Sequence, residues 1–179
     1  MKRVLAVLLV GIAIPMAQGG FNTVVSPRFT PDLGFLVVIA LGLHWRSALG
    51  GLAIAAAIGF CADLLSSSLL GEQALLRMLA FTAARVASRH LNLRGPLPQA
   101  AFVFVLTATN LLGICLLEAF FTLGGPFDIA MLRDLPGHAA INALFAPLVS
   151  HYIDVLMIAL GNDESGRRSV RLPAEGGAA

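Results

Sequence analysis

The sequence predicts an all-α membrane protein, a bundle of about six transmembrane helices with both termini on the cytoplasmic side. Three observations lead there. Of the 179 residues 58% are hydrophobic and 12% charged, with a mean hydropathy of +0.85, which is far more apolar than a soluble domain. Pro, Gly and charge clusters divide the chain into apolar stretches at 4–25, 32–45, 47–65, 70–87, 97–123 and 138–160. Most approach the roughly 20 residues that cross a hydrocarbon core about 30 Å thick. With six crossings and the N-terminus inside, the inner side collects Lys2, Arg3, Arg46, Arg85, Arg89, Arg94, Arg167, Arg168 and Arg171. Arg28, Arg77 and Arg133 are left outside or within the fourth segment, and such an inward bias of basic residues sets orientation.

The first stretch, 4–25, follows a basic start and resembles a secretory signal. Pro15 lies three residues before the best cut, after Ala17, and apolar residues continue to Phe21, Val24 and Val25, so a retained helix is expected. The second, 32–45, is short of a full span, and is either accommodated by its neighbours or re-entrant.

The third stretch, 47–65, places Gly51, Ala55, Gly59 and Asp63 four residues apart. A row of small residues lets another backbone approach closely, and its last member is a carboxylate. A charge inside a membrane helix is costly, so Asp63 is expected on a packing face, accepting hydrogen bonds from a neighbouring helix or from the Ser66–Ser68 turn. The bland alternative is a solvated carboxylate at the outer headgroup level.

The fourth stretch, 70–87, opens near Gly71 and ends among arginines, and the fifth, 97–123, is long enough to tilt, with Asn110, Ile114 and Glu118 on one row. The sixth, 138–160, carries His138, Asn142, Ala146, Ser150 and Asp154 at the same spacing, with His151 beside them. A helix this polar on one side faces the bundle interior. It serves interhelical hydrogen bonding or, alternatively, a ligand, a proton relay or a subunit contact. Residues 1–161 therefore read as one integral membrane domain, and 162–179, polar and Gly-rich, as a disordered cytoplasmic tail.

Several function classes lack a footprint. Cys61 and Cys115 sit singly in apolar runs, which supports neither a disulfide framework nor a zinc site. A net charge of +2 without basic runs leaves nucleic-acid binding unsupported. No nucleophile elbow, HExxH or phosphate loop occurs, and four scattered histidines do not form a metal motif. The chain is expected to be non-enzymatic, without cofactor or metal. Its informative residues, Gly51, Ala55, Gly59, Asp63, Gly71, Asn110, Asn142 and Asp154, are read as helix-packing or partner-interface positions, with membrane lipid as the surrounding partner.

Pro31-Asp32-Leu33 opens a short apolar segment that ends at His44-Trp45-Arg46. A Gly-rich helix then runs into Gly59-Phe60-Cys61-Ala62-Asp63-Leu64-Leu65, followed by Ser66-Ser67-Ser68-Leu69-Leu70-Gly71 and a helix ending in arginines. This order of features, over about residues 1 to 160, resembles MreD, the rod shape-determining membrane protein family of bacteria. Gly71, eight residues after Asp63, belongs to the most specific part. Ala62 departs from the Gly or Leu often found before the aspartate, and the chain after Leu160 carries no family signature. The resemblance implies a multi-pass protein of the bacterial cytoplasmic (inner) membrane that organises cell elongation. It further implies MreC as direct partner and, beyond it, MreB, a polymerising glycosyltransferase and a penicillin-binding transpeptidase. The family's fold is similar to the substrate-binding subunits of energy-coupling-factor vitamin transporters, which implies the alternative of a small-molecule binder. One Trp and one Tyr, at positions 45 and 152, are few aromatics for a ligand lid.

Overall fold

A computed structural model describes residues 9–11, 13, 30–45, 47–66, 69–93, 95–121 and 129–168, with side chains of the last helix described over 133–159. The described residues contain no strand. Leu9, Val10, Gly11 and Ala13 are helical; the rest of the first stretch, and with it the question of its retention, lies outside the described residues. Five further helices follow: α1 (Leu33–His44), α2 (Ala48–Ser66), α3 (Glu72–His90), α4 (Pro96–Phe121) and α5 (Ile129–Arg168).

α1 starts at Asp32, whose Oδ1 accepts a hydrogen bond from the Phe35 N–H at 2.9 Å, an N-cap that satisfies one of the helix's free amides. It stops at Trp45, which turns extended while its N–H still donates to the Leu41 carbonyl at 2.8 Å. Between these ends every residue from Gly34 to Gly42 is buried. A helix apolar all round belongs at the centre of a bundle. Its 12 residues rise only about 18 Å, so α1 does not cross a bilayer core by itself. Enclosure by its neighbours removes that requirement, since lipid does not meet it.

The surrounding helices each bury one stripe. α2 buries Gly51, Ile54, Ala55, Ile58, Gly59 and Asp63, and α3 buries Leu76, Arg77, Ala80, Phe81 and Ala84 among others. α4 buries Gln99, Val103, Thr107, Leu111 and Cys115, every fourth residue, the spacing that puts residues on one helical face. α3 packs on α1 and α2, and α5 on α4 and α1. The core forms two clusters around α1: Val37, Val38 and Leu41 meet Ile54, Ile58, Phe81 and Ile153, while Phe35, Leu36 and Ile39 meet Ala80, Ala84, Val103 and Ala146.

Elsewhere the pattern is inside out. Large apolar side chains such as Leu64 on α2, Leu79 on α3, Leu116 and Phe120 on α4, and Leu144 and Ile158 on α5 are exposed, while Asp63, Glu72, Arg77, Gln99, Thr107, Asn142 and Ser150 are buried. An apolar exterior this extensive marks a surface made for lipid or partners rather than water. Three helices, Ala48–Ser66, Pro96–Phe121 and the Arg133–Ala159 portion of α5, are long and apolar enough to cross a membrane. α3, assigned to 70–87 by the sequence, is less apolar because Glu72, Arg77, Arg85 and Arg89 lie within it.

The last helix differs most from its sequence boundaries. It begins at Ile129 rather than 138 and runs to Arg168, with Pro136 and Pro147 inside it. Residues 162–168, assigned by the sequence to a disordered tail, are helical, because extending a formed helix is far easier than starting one. Residues 169–179 lie outside the described residues.

Candidate functional site

Asp63 occupies the last turns of α2 and is 2% exposed. Its carboxylate accepts three backbone hydrogen bonds from the start of α3: from Gly71 at 3.0 Å, Gln73 at 2.8 Å and Ala74 at 3.2 Å. The first amides of a helix have no partner within it and carry the positive end of its dipole. A carboxylate supplied from the preceding helix therefore neutralises both at once. Gly71, the N-cap of α3, has φ of 94°, a conformation nearly reserved for glycine, and this turn aims its N–H at Asp63.

One turn before Asp63 the helices touch backbone to backbone. A Cβ on Gly59 would lie 2.7 Å from the Ala74 nitrogen and from the Gln73 carbonyl oxygen, so any larger residue forces the helices apart. Gly51, two turns further back, faces the Phe81 ring, and Ala55 between them is fully buried. The whole four-residue row of α2 thus meets α3 or the α1 core, in the same chain.

A second polar junction joins four helices. Arg77, 4% exposed, directs Nη2 to both carboxylate oxygens of Asp32 at 3.4 and 3.3 Å. The Asp32 N–H donates to Asn142 Oδ1 at 2.8 Å, and Asn142 Nδ2 donates to Thr107 Oγ1 at 3.5 Å. α1, α3, α5 and α4 are therefore linked through one guanidinium and one amide. Arg77 Nε and Nη1 find no acceptor among the described residues.

At the opposite end of α1 the polar groups line a cavity of about 630 Å³, whose walls include His44, Gln99, Ser150, His151 and Asp154. Gln99 Nε2 donates to Ser150 Oγ. His44 places Nε2 3.9 Å from Asp154 Oδ1, and its Nδ1 is 2.9 Å from the Ala40 carbonyl. Arg85 Nη1 donates to the Trp45 carbonyl at 2.7 Å, placing a cation at the C-terminus of α1, where the helix dipole favours it.

Of the residues singled out by sequence, Gly51, Ala55, Gly59, Asp63 and Gly71 come together at the α2–α3 contact. Asn142 enters the Arg77 junction, whereas Asp154 lies in the cavity at the other end. The α5 row drifts: Asn142, Ala146 and Ser150 are buried and Asp154 is exposed. Asn110 is only partly covered, beside rather than on the buried α4 stripe, although its Oδ1 is buried without a donor among the described residues.

Sequence reasoning missed the roles of Asp32, Arg77, Gln99 and Thr107. An aspartate immediately before an apolar run is an N-cap signal, and an arginine within an apolar segment calls for a named counter-ion, so the first two were open to detection. Gln99 and Thr107 are neutral residues on a row distinguishable only by what packs against it. Among the described residues no group of His, Cys, Asp or Glu is arranged to hold a metal ion. No protein-family model, curated protein or solved structure matches the chain.

Proposed function

We propose that this chain is a non-enzymatic, multi-pass scaffold subunit of the bacterial inner membrane, acting in the cell-elongation complex in the manner of MreD. In this reading it binds MreC directly and, through it, joins the MreB filament, a glycosyltransferase and a penicillin-binding transpeptidase in lateral peptidoglycan synthesis. One observation supports the reading above others. The residues that carry the resemblance, Gly59, Asp63 and Gly71, are those committed to closing α2 onto α3. A carboxylate engaged by three amides holds two helices together, as a structural subunit requires. Depletion in a rod-shaped host tests the proposal: cells should widen or become round while vitamin uptake stays normal. Normal cell width in a confirmed null strain overturns it.

The cavity at the His44 end favours a second reading, the substrate-binding subunit of a small-molecule transporter. Its volume of about 630 Å³ falls in the range that holds small ligands, and it offers donors and acceptors from Gln99, Ser150, His44 and Asp154. Loss of uptake of one vitamin in the null strain, with cell width unchanged, selects this reading.

A further inference from the structure

A smaller pocket, about 280 Å³, opens between the start of α3 and the end of α4, walled by Leu69, Leu70, Leu75, Leu117, Phe121 and a single charged residue, Glu72. Glu72 is 5% exposed, and its buried carboxylate oxygens have the Leu69 backbone N–H beside them but no counter-cation among the described residues. The carboxylates of Glu118 and Asp63 act on it electrostatically. Asp63 is engaged by the α3 amides, and Arg77, one and a half turns along, directs its Nη2 to Asp32 instead. The pocket's mouth lies on the apolar exterior, where Leu70, Leu75 and Phe121 are exposed.

One backbone amide does not neutralise a carboxylate, and an ionised carboxylate taken out of water without a counter-charge is strongly unfavourable; here two further carboxylates add to the negative potential. The chain itself offers no cation to this pocket among the described residues. We propose that the pocket receives one basic side chain, lysine or arginine, from a transmembrane helix of another protein. At about 280 Å³ the pocket has room for one long side chain. The leucines and Phe121 fit the aliphatic stem of such a residue, which lies along apolar surface while its charged head reaches an anion. Glu72, as a wall residue, meets that head through its own rotamer freedom. The inference needs only a membrane setting, so it stands or falls separately from the cell-elongation reading.

The test uses the full chain in phosphatidylcholine nanodiscs and a leucine-rich transmembrane peptide whose only charge is one lysine a turn below its end. Association is followed by energy transfer and compared with the same peptide carrying norleucine there. The lysine peptide should associate about tenfold more tightly, a difference of ~1.4 kcal/mol. Glu72→Gln should remove that advantage, as should Leu117→Trp, which fills the pocket and leaves the carboxylate in place. Equal association of the two peptides overturns the proposal, and so does a lysine advantage that survives both variants. Loss of the advantage when phosphatidylethanolamine replaces part of the lipid also overturns it, assigning the pocket to a lipid amine.

Discussion

At the scale of single residues, the chain uses charge to join backbones. Asp63 serves three amides, so Asp63→Leu leaves three buried donors unpaired, at about 1 kcal/mol or more each. Asp63→Asn keeps one acceptor oxygen and the shape, but not the charge at the helix start. We expect Leu to lower stability by about 3 kcal/mol and Asn by about 1 kcal/mol. Both are read as membrane abundance and as the temperature at which solubilised protein stays monodisperse, beside the exposed control Leu64→Ala. A Leu variant equal to the control would show that the cap contributes nothing. Arg77 and Asp32 behave differently because each is the other's counter-charge. Arg77→Met alone strands the Asp32 carboxylate and should cost on the order of 3 kcal/mol. Adding Asp32→Asn, which retains capping ability, should recover part of that loss, and strictly additive losses in the same assay would refute the coupling.

At the scale of helices, closeness rather than area sets the α2–α3 contact. Gly59→Leu places a side chain where the Ala74 backbone already stands, so the helices must separate and the three bonds to Asp63 lengthen together. We expect a loss at least as large as that of Asp63→Leu, with no further loss when the two changes are combined; full additivity would show that Gly59 and Asp63 act independently. This element was legible in advance, since Gly51, Ala55, Gly59 and Asp63 announce a face by spacing alone. What the face meets was not, because spacing carries no information about which helix returns to it; the neighbour is α3 of the same chain. Nor did punctuation locate the start of α5: Pro136 read as a boundary but lies inside the helix, as Pro147 does. Prolines are tolerated in membrane helices when neighbouring groups satisfy the freed carbonyls. The short segment at 32–45 was ambiguous for another reason. Length tests whether a helix reaches across lipid, and α1 scarcely meets lipid.

At the scale of the molecule, the helices alternate in direction around α1, with the Asp32–Arg77 junction at one level and the His44 cavity at the other. The orientation expected from the basic residues puts the cavity on the cytoplasmic side. Reporter fusions after Phe29, Ser67, Gly95, Asp128 and Gly161 should therefore give out, out, in, out, in; a reporter active in the periplasm at Gly161 would overturn the orientation. α1 also bears on how the protein is made. Synthesis delivers helices in chain order, so the helix at the centre leaves the ribosome long before α4 and α5 exist. About 18 Å of apolar helix is too short to hold a stable crossing alone, and its cap Asp32 must wait for Arg77 and Asn142. Insertion is thus obliged to finish out of order: the second-made piece is seated only when the last-made piece closes over it.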